Sequence, residues 1–387
     1  MDSTQRGIMV LLRSAVTGVA QPLPADFDPE AVRPYIRAHH ILPLVYEGAR
    51  ICGVQSPLMG QLFSGYCKAL QISEGQMQAL GEIFAIFEAE GIDYMPLKGC
   101  RMKKLYPKPE LRMMGDADVL IRMDQYDRIV PMMEQLGFTN VDNTDHELIW
   151  KKPLLVVELH KRVIPSYNKD YFRYFGDGWQ LATRQEGHCF AMSDEDAWIY
   201  ELTHFAKHFR DGGIGCRHVL DLWVYRNHHP EMDEAYIRQE LEALGLWEFC
   251  QNVCALTRYW FEDGQAEEAV ELMSEYVLAS GSWGQMEERV RSLIVRDRRY
   301  APAGTSGKVI YIFKKLFPPV QLLEKKYTIL QKAPWMLPVV WLVRPFYKVL
   351  FEWKTLGTQK RELEAVDEAS VERHHEMLKK MGIDYRF

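Results

Sequence analysis

Residues 112–121 read RMMGDADVLI, with Asp116 and Asp118 one residue apart just ahead of the apolar run Val119-Leu120-Ile121. On a strand, residues two apart face the same side, so both carboxylates project together, roughly 7 Å apart at their α-carbons. Ala117 and Val119 then turn the other way, toward a helix layer. Two ionised carboxylates this close repel, and one shifts toward protonation unless a cation lies between them. Oxygen ligands of this kind suit a hard divalent ion, Mg²⁺ or Mn²⁺. A third acid, Glu158, ends the apolar segment LLVVELH and shares a strand face with Val156. If that segment lies beside the aspartate strand, three carboxylates meet on one rim. Such a set can clamp two metals, activate a hydroxyl and stabilise the leaving oxygen of a phosphate ester. Taken alone, an Asp-x-Asp more often marks only a turn and the start of a strand.

The context upstream strengthens the chemical reading. MPLKGCRMKKLY has the pattern strand, glycine, helix, in which Gly99 lets the backbone approach a phosphate and the helix N-terminus offers free N–H groups. Lys98, Arg101, Lys103 and Lys104 surround that turn, and Arg112 precedes the aspartates. One site would thus hold cations for a polyphosphate and anions for its metals.

The elements that must position these groups follow from apolar spacing. Residues 1–75 read as a helical region. In residues 76–192, MQALGEIFAIFEAEG is a helix burying Leu80, Ile83, Phe84, Ile86 and Phe87, with Gly91 as its stop. IDYMPL is a strand, the next helix ends before Pro107, and GDADVLI is a strand. MDQYDRIVPMMEQLG is a helix with Asp124 as N-cap and Gly137 as stop. FTNVDN, HELIWKK and LLVVELH are three strands. The economical packing is α+β, a small mixed β-sheet core with helical regions on both sides in sequence. Residues 193–300 form a helical domain that opens with a capping box from Ser193 to Asp196, and 301–387 a basic, proline-broken helical C-terminal region.

LKGCRMKKLYPKPELRMMGDADVLI, followed by VVELH, is similar to a bacterial family of uncharacterised nucleotidyltransferases within the superfamily that includes DNA polymerase β. The shared pattern is Leu-Lys-Gly, a Tyr-Pro, an Arg, Gly-Asp-x-Asp with an apolar tail, then an acid followed by Leu-His. The likeness is densest over residues 90–165 and looser for HFAKHFRDGGIGCRHVLDL and APWMLPVVWLVRP. It implies that Asp116, Asp118 and Glu158 are the catalytic metal ligands, and that Lys98, Gly99, Cys100, Arg112 and Gly115 meet the nucleotide. The superfamily usually has a serine where this chain has Cys100, so backbone N–H groups and Lys98 would replace the hydroxyl. The implied reaction is in-line attack of an acceptor hydroxyl on the α-phosphate of a nucleoside triphosphate, releasing pyrophosphate. The acceptor is left open among a sugar, a small metabolite, RNA and a protein side chain. Two other readings compete: a nucleotide-binding interaction module without turnover, and a peripheral membrane protein acting in surface polysaccharide assembly.

His204 and His208 lie four apart on the helix after Ser193, on a face shared with Glu201. Zinc binding lacks the His-Glu-x-x-His pattern, so a pocket wall or helix–helix polar contact is the better reading. Arg217 and Asp221 form either a surface pair or part of that wall. His160 points to the same side as Glu158, where it orients an acceptor or closes the strand. PAGTSGKV is rejected as a phosphate loop, because Pro302 stands at its first glycine and valine follows Lys308.

Composition narrows the class. The 387 residues carry 47% apolar and 26% charged side chains, as expected of a soluble globular chain of two or three domains. A net charge of −6 excludes a general nucleic-acid coat. Seven cysteines without a Cys-x-x-Cys pair read as reduced thiols in the cytoplasm, and the N-terminus is too weak for a signal peptide. Residues 333–353 are membrane-like, yet three prolines, Arg344 and Lys348 interrupt them, short of the roughly 20 apolar residues that span a bilayer. A buried, proline-broken helix pair is the bland reading. Peripheral membrane contact through 308–353 is the functional one, suited by Trp335, Trp341 and Trp353. The basic run from Arg289 to Lys332, with Arg298, Arg299, Lys314, Lys315, Lys325 and Lys326, reads as a solvated face or as a site for an anionic partner.

Overall fold

Five short strands, Tyr94–Pro96 (β1), Ala117–Ile121 (β2), Thr139–Asn143 (β3), Glu147–Lys152 (β4) and Leu155–His160 (β5), form a sheet in the order β1-β2-β5-β4-β3. The computed structural model describes residues 1–262, 264–282, 284, 286–298, 306–323, 327–351 and 366–384. Within the sheet β2 and β5 are parallel, and the other pairs are antiparallel. The β4–β5 hairpin turns at Leu154, whose φ of 71° is left-handed. Thr144 sets the β3–β4 turn, its hydroxyl accepting from the Glu147 N–H at 3.1 Å.

The period-two alternation decides which groups reach the core. Ala117, Val119 and Ile121 of β2 and Leu155, Val157 and Leu159 of β5 pack in one cluster with Leu80, Ile83 and Phe87. The latter three lie on the helix Leu58–Ala89, and Ile129 and Met133 of the helix Tyr126–Gln135 complete the layer. Each of the larger side chains among these, fully buried, contributes about 1.5–3 kcal/mol. The residues between them, Asp118 on β2 and Glu158 and His160 on β5, take the opposite face. The order helix, strand, helix, strand, helix, three strands matches the sequence reading, and the class is α+β.

Local punctuation agrees in most places. Gly91 and Gly137 have φ of 67° and 80° and end their helices, and the Ser193 hydroxyl accepts from the Asp196 N–H at 3.0 Å. Asp124 is not an N-cap. It lies in a 3₁₀ turn, Met123–Gln125, and Gln125 precedes the helix without a side-chain cap. The Gln125 side chain instead accepts from the Asp93 N–H at 2.9 Å, which fixes the lead into β1.

One helix, Leu58–Ala89, runs across residues 75 and 76 without a break. Two compact units emerge: Met1–Lys207 with Ile214–Trp283 and Met381–Phe387, and His208–Gly213 with Gly284–Lys380. The second strand pair, Thr183–Arg184 (β6) with Phe190–Ala191 (β7), carries no sequence signal of comparable strength. Among the described residues no helix is long and apolar enough to cross a membrane. Arg299, Lys325, Lys326 and Trp353, and the side chains of Arg298 and Lys348, lie outside the described residues.

Candidate active site

Because β2 and β5 are parallel and in register, Asp118 stands directly beside Glu158, and Leu120 beside His160. Potential ligand atoms of Asp118, Glu158 and His160 fall within 4.8 Å of one another. His160 Nε2 lies 2.7 Å from Asp118 Oδ1 and 3.6 Å from Glu158 Oε2. The Lys98 ammonium donates to the same Asp118 oxygen at 2.8 Å. Asp116, half-buried, immediately precedes β2. Lys98 has φ of 38°, a left-handed backbone that a lysine rarely adopts and that persists only where surroundings enforce it.

The electrostatics are uneven. Burial pushes the Asp116 carboxyl up to about 6, and the negative charges of Asp118 and Glu158 add to the rise against the pull of Lys98. Asp118 goes the other way: burial alone would raise it, but the Lys98 ammonium and the His160 hydrogen bond hold it well below the ordinary carboxylate range. Burial disfavours the charged His160 ring, yet its bonds to Asp118 and Glu158 outweigh that and raise it. Three acids share one lysine and one imidazole. The rim is short of positive charge, and its oxygen donors fit a hard divalent cation.

A second group adjoins it. Glu147 of β4 is the cross-strand partner of His160, and Glu147 Oε2 lies 2.9 Å from His146 Nε2. Potential ligand atoms of His146, Glu147 and His160 also come within 4.8 Å of one another. Once the turn at Leu154 sets the Lys152–Leu155 pair, counting back along the hairpin reaches this juxtaposition.

A family described as an uncharacterised nucleotidyltransferase matches residues 25–262. The chain belongs to this family. Comparison with curated proteins and with solved structures gives no match.

The lead-in to Asp116 is built as a clamp. Three successive carbonyls are each held by a side chain from a different segment. Lys103 Nζ donates to Arg112 O at 3.0 Å, Arg217 Nη1 to Met113 O at 2.9 Å, and Gln76 Nε2 to Met114 O at 3.0 Å. Arg112 itself forms a buried bidentate pair with Asp221, Nη2–Oδ2 2.9 Å and Nε–Oδ1 3.3 Å. The Tyr106 hydroxyl donates to the same carboxylate at 2.8 Å. Buried carbonyls and carboxylates are costly unless bonded, and here each has a partner.

These contacts correct several sequence expectations. Arg112 is spent on Asp221, so it does not stand ready for a phosphate, and Arg217 and Asp221 are not a surface pair. Lys103 is buried on a carbonyl, where burial and Arg112 bring its amine down to about 8. Cys100 packs into the core cluster, and burial there pushes its thiol up to about 12. Its side chain cannot replace a phosphate-binding serine. Gly99 has no left-handed backbone; a side chain there would come within 3.0 Å of Arg112 and 3.2 Å of Met114. Glycine at that position is therefore explained by packing, and Lys98 is the residue with the unusual φ. Gly115 is exposed beside Asp116.

His204 and Asp221 line a small cavity of about 10 Å³, together with Met102, Glu201, His218 and Tyr225. Burial, reinforced by Asp221, pushes the Glu201 carboxyl there up to about 7. His208 falls in the second unit. Neither His204 nor His208 belongs to a group of three metal-capable side chains among the described residues. Gln76 and the role of the Tyr106 hydroxyl went unmarked in the sequence, since helix and turn positions carry no signal for partners so distant along the chain.

Proposed function

We propose that this chain is a divalent-metal-dependent nucleotidyltransferase of the DNA polymerase β-like superfamily, moving a nucleoside monophosphate from a triphosphate to an acceptor hydroxyl. The family assignment supports nucleotidyl transfer. The observation that carries the rest is the side-by-side placement of Asp118 and Glu158 on parallel strands, with Asp116 one step before β2. Asp116, Asp118 and Glu158 would hold Mg²⁺ or Mn²⁺. When bound, the ion supplies charge neutralisation at the phosphate and lowers the pKa of an attacking hydroxyl.

The protein groups divide the remaining work. His160 fixes one Asp118 oxygen and reaches toward Glu158, which limits rotation of both carboxylates. Lys98 provides fixed positive charge beside Asp118, on the side where the triphosphate's negative charge would gather. The clamp on residues 112–114 keeps Asp116 in place, so alignment of the reacting groups is set before the nucleotide arrives.

The test is transfer of label from each α-³²P nucleoside triphosphate, with Mg²⁺, to the protein itself and to fractionated cell extract. Wild type should label an acceptor and lose that activity in EDTA, with Mn²⁺ or Mg²⁺ restoring it. The variant carrying Asp116→Ala and Asp118→Ala should fall by about 10³-fold or more, the scale on which metal and electrostatic stabilisation act. Equal labelling by the two proteins would overturn the assignment.

A further inference from the structure

The second unit exposes an apolar surface that its own core does not use. In the helix Leu337–Phe351, Val340 packs with Leu323 and Leu330, and Leu337 and Trp341 lie against that cluster. Trp341 is anchored further by its indole N–H, which donates to Pro318 O at 2.9 Å, and by an edge-on contact with Phe317 at 5.3 Å. The opposite face carries Val339, Leu342, Val343 and Phe346, spaced three, one and three apart, which is one side of a helix. Leu342 and Phe346 are each 72% exposed, and Trp335 just before this helix is 78% exposed. The neighbouring helix Gly307–Leu316 repeats the pattern with Val309, Phe313 and Leu316, and Phe313 is 60% exposed. Arg344 links the two helices, its guanidinium donating to Lys315 O at 2.6 Å.

Soluble chains scatter single apolar residues over their surface, but they rarely align large ones along two linked helices. The charge around this face selects the partner. Among the described residues between 306 and 346 there are five Lys and Arg and no acid, in a chain whose net charge is −6. Aromatic and aliphatic side chains set among lysines match a lipid leaflet, where the apolar atoms enter the acyl boundary and the cations meet headgroup phosphates. A second copy of the same surface would instead bring lysines against lysines.

We propose that the outward faces of Gly307–Leu316 and Leu337–Phe351, with Trp335, dock this enzyme on an anionic lipid leaflet without crossing it. The surface lies wholly in the second unit and does not rest on the identity of the transferred nucleotide.

Co-sedimentation of the full chain with vesicles tests it directly, using phosphatidylcholine alone and phosphatidylcholine with about one-third phosphatidylglycerol. Binding is expected to the anionic vesicles and to weaken as salt rises. The variant Trp335→Glu, Leu342→Glu, Phe346→Glu should bind about tenfold less or worse, with its circular dichroism and soluble-phase activity unchanged. Should that variant misfold, the milder pair Leu342→Ser and Phe346→Ser serves, and both positions are exposed. Wild type that stays in the supernatant with anionic vesicles overturns the proposal, as does a folded variant that sediments equally. A concentration-dependent dimer abolished by the same substitutions, without vesicle binding, assigns the face to a second copy and likewise overturns it.

Discussion

Residues 98–118 contribute to two buried cation–carboxylate pairs, Arg112–Asp221 and Lys98–Asp118, and these are built to opposite purposes. Arg112 and Asp221 meet through two hydrogen bonds, the Tyr106 hydroxyl also donates to Asp221 Oδ1, and one positive charge matches one negative. Lys98 and Asp118 meet through a single bond of 2.8 Å, on a lysine with a left-handed backbone, and Asp116 and Glu158 leave negative charge over. Arginine's planar fork suits the closed, bidentate pair, and lysine's point charge suits a pair that must share its carboxylate. A satisfied pair holds structure. An unsatisfied one keeps electrostatic free energy in reserve for something that arrives later, and perturbed carboxylates of this kind gather at functional sites.

Breaking the satisfied pair gives the largest stability effect. Arg112→Ala, or Asp221→Ala, strands a buried charge and should destabilise the protein by about 3–5 kcal/mol, read from the denaturant midpoint at constant m-value. Arg112→Met combined with Asp221→Leu removes both charges and should recover most of that loss, because well-packed apolar replacements of a buried pair are often neutral. Single variants with the wild-type midpoint would show that the Arg112–Asp221 pair contributes nothing to stability.

The unsatisfied site should respond in the opposite sense. The Asp116 carboxyl is pushed up to about 6 in the folded protein, against an ordinary 3.8. Between those values the native state binds more protons than the unfolded chain, so metal-free stability falls as pH rises from 4 to 6 and stays low above. Asp221 has the reverse sign: burial alone raises it, the Arg112 guanidinium holds it lower, and its contribution is lost as pH falls. Asp116→Asn in EDTA should abolish the decline between pH 4 and 6 and gain on the order of 1–3 kcal/mol at pH 7, while ending nucleotidyl transfer. Parallel pH–stability curves for the variant and wild type would refute the charge surplus.

The same contrast separates what the sequence reveals from what it hides. Asp118 beside Glu158 was legible because period-two alternation and apolar strands are local, and the only long-range step was the pairing of β2 with β5. Gly91 and Gly137 were legible as helix stops for the same local reason. The buried pairing of Arg112 with Asp221 was not legible, since the two lie more than a hundred residues apart. The packing of Gly99 against Arg112 and Met114 and of Cys100 in the core cluster was equally hidden, because those neighbours are brought up only by the fold. Helix Leu58–Ala89 spanning residue 75 shows a further limit: a composition shift marks where packing partners change, not where the backbone breaks. The His146–Glu147–His160 group lay within reach of hairpin counting but needed the turn at Leu154 to fix the register.

The smallest effect isolates the backbone at Lys98. Lys98→Ala and Lys98→Gly both remove the ammonium from Asp118, so both lose the same ion pair. They differ in that glycine adopts a φ of 38° freely, whereas alanine is strained there. Glycine should therefore be the more stable of the two by about 1 kcal/mol, a reversal of the usual order inside a helix. If alanine is the more stable, residue 98 relaxes to an ordinary helical φ once its side chain is gone, and the left-handed turn is a consequence of the Asp118 bond. If glycine wins, the turn is imposed by the chain on either side, Leu97 bonded to Asp118 O and Cys100 seated in the core. In that case the ammonium is delivered to the carboxylates by the fold itself.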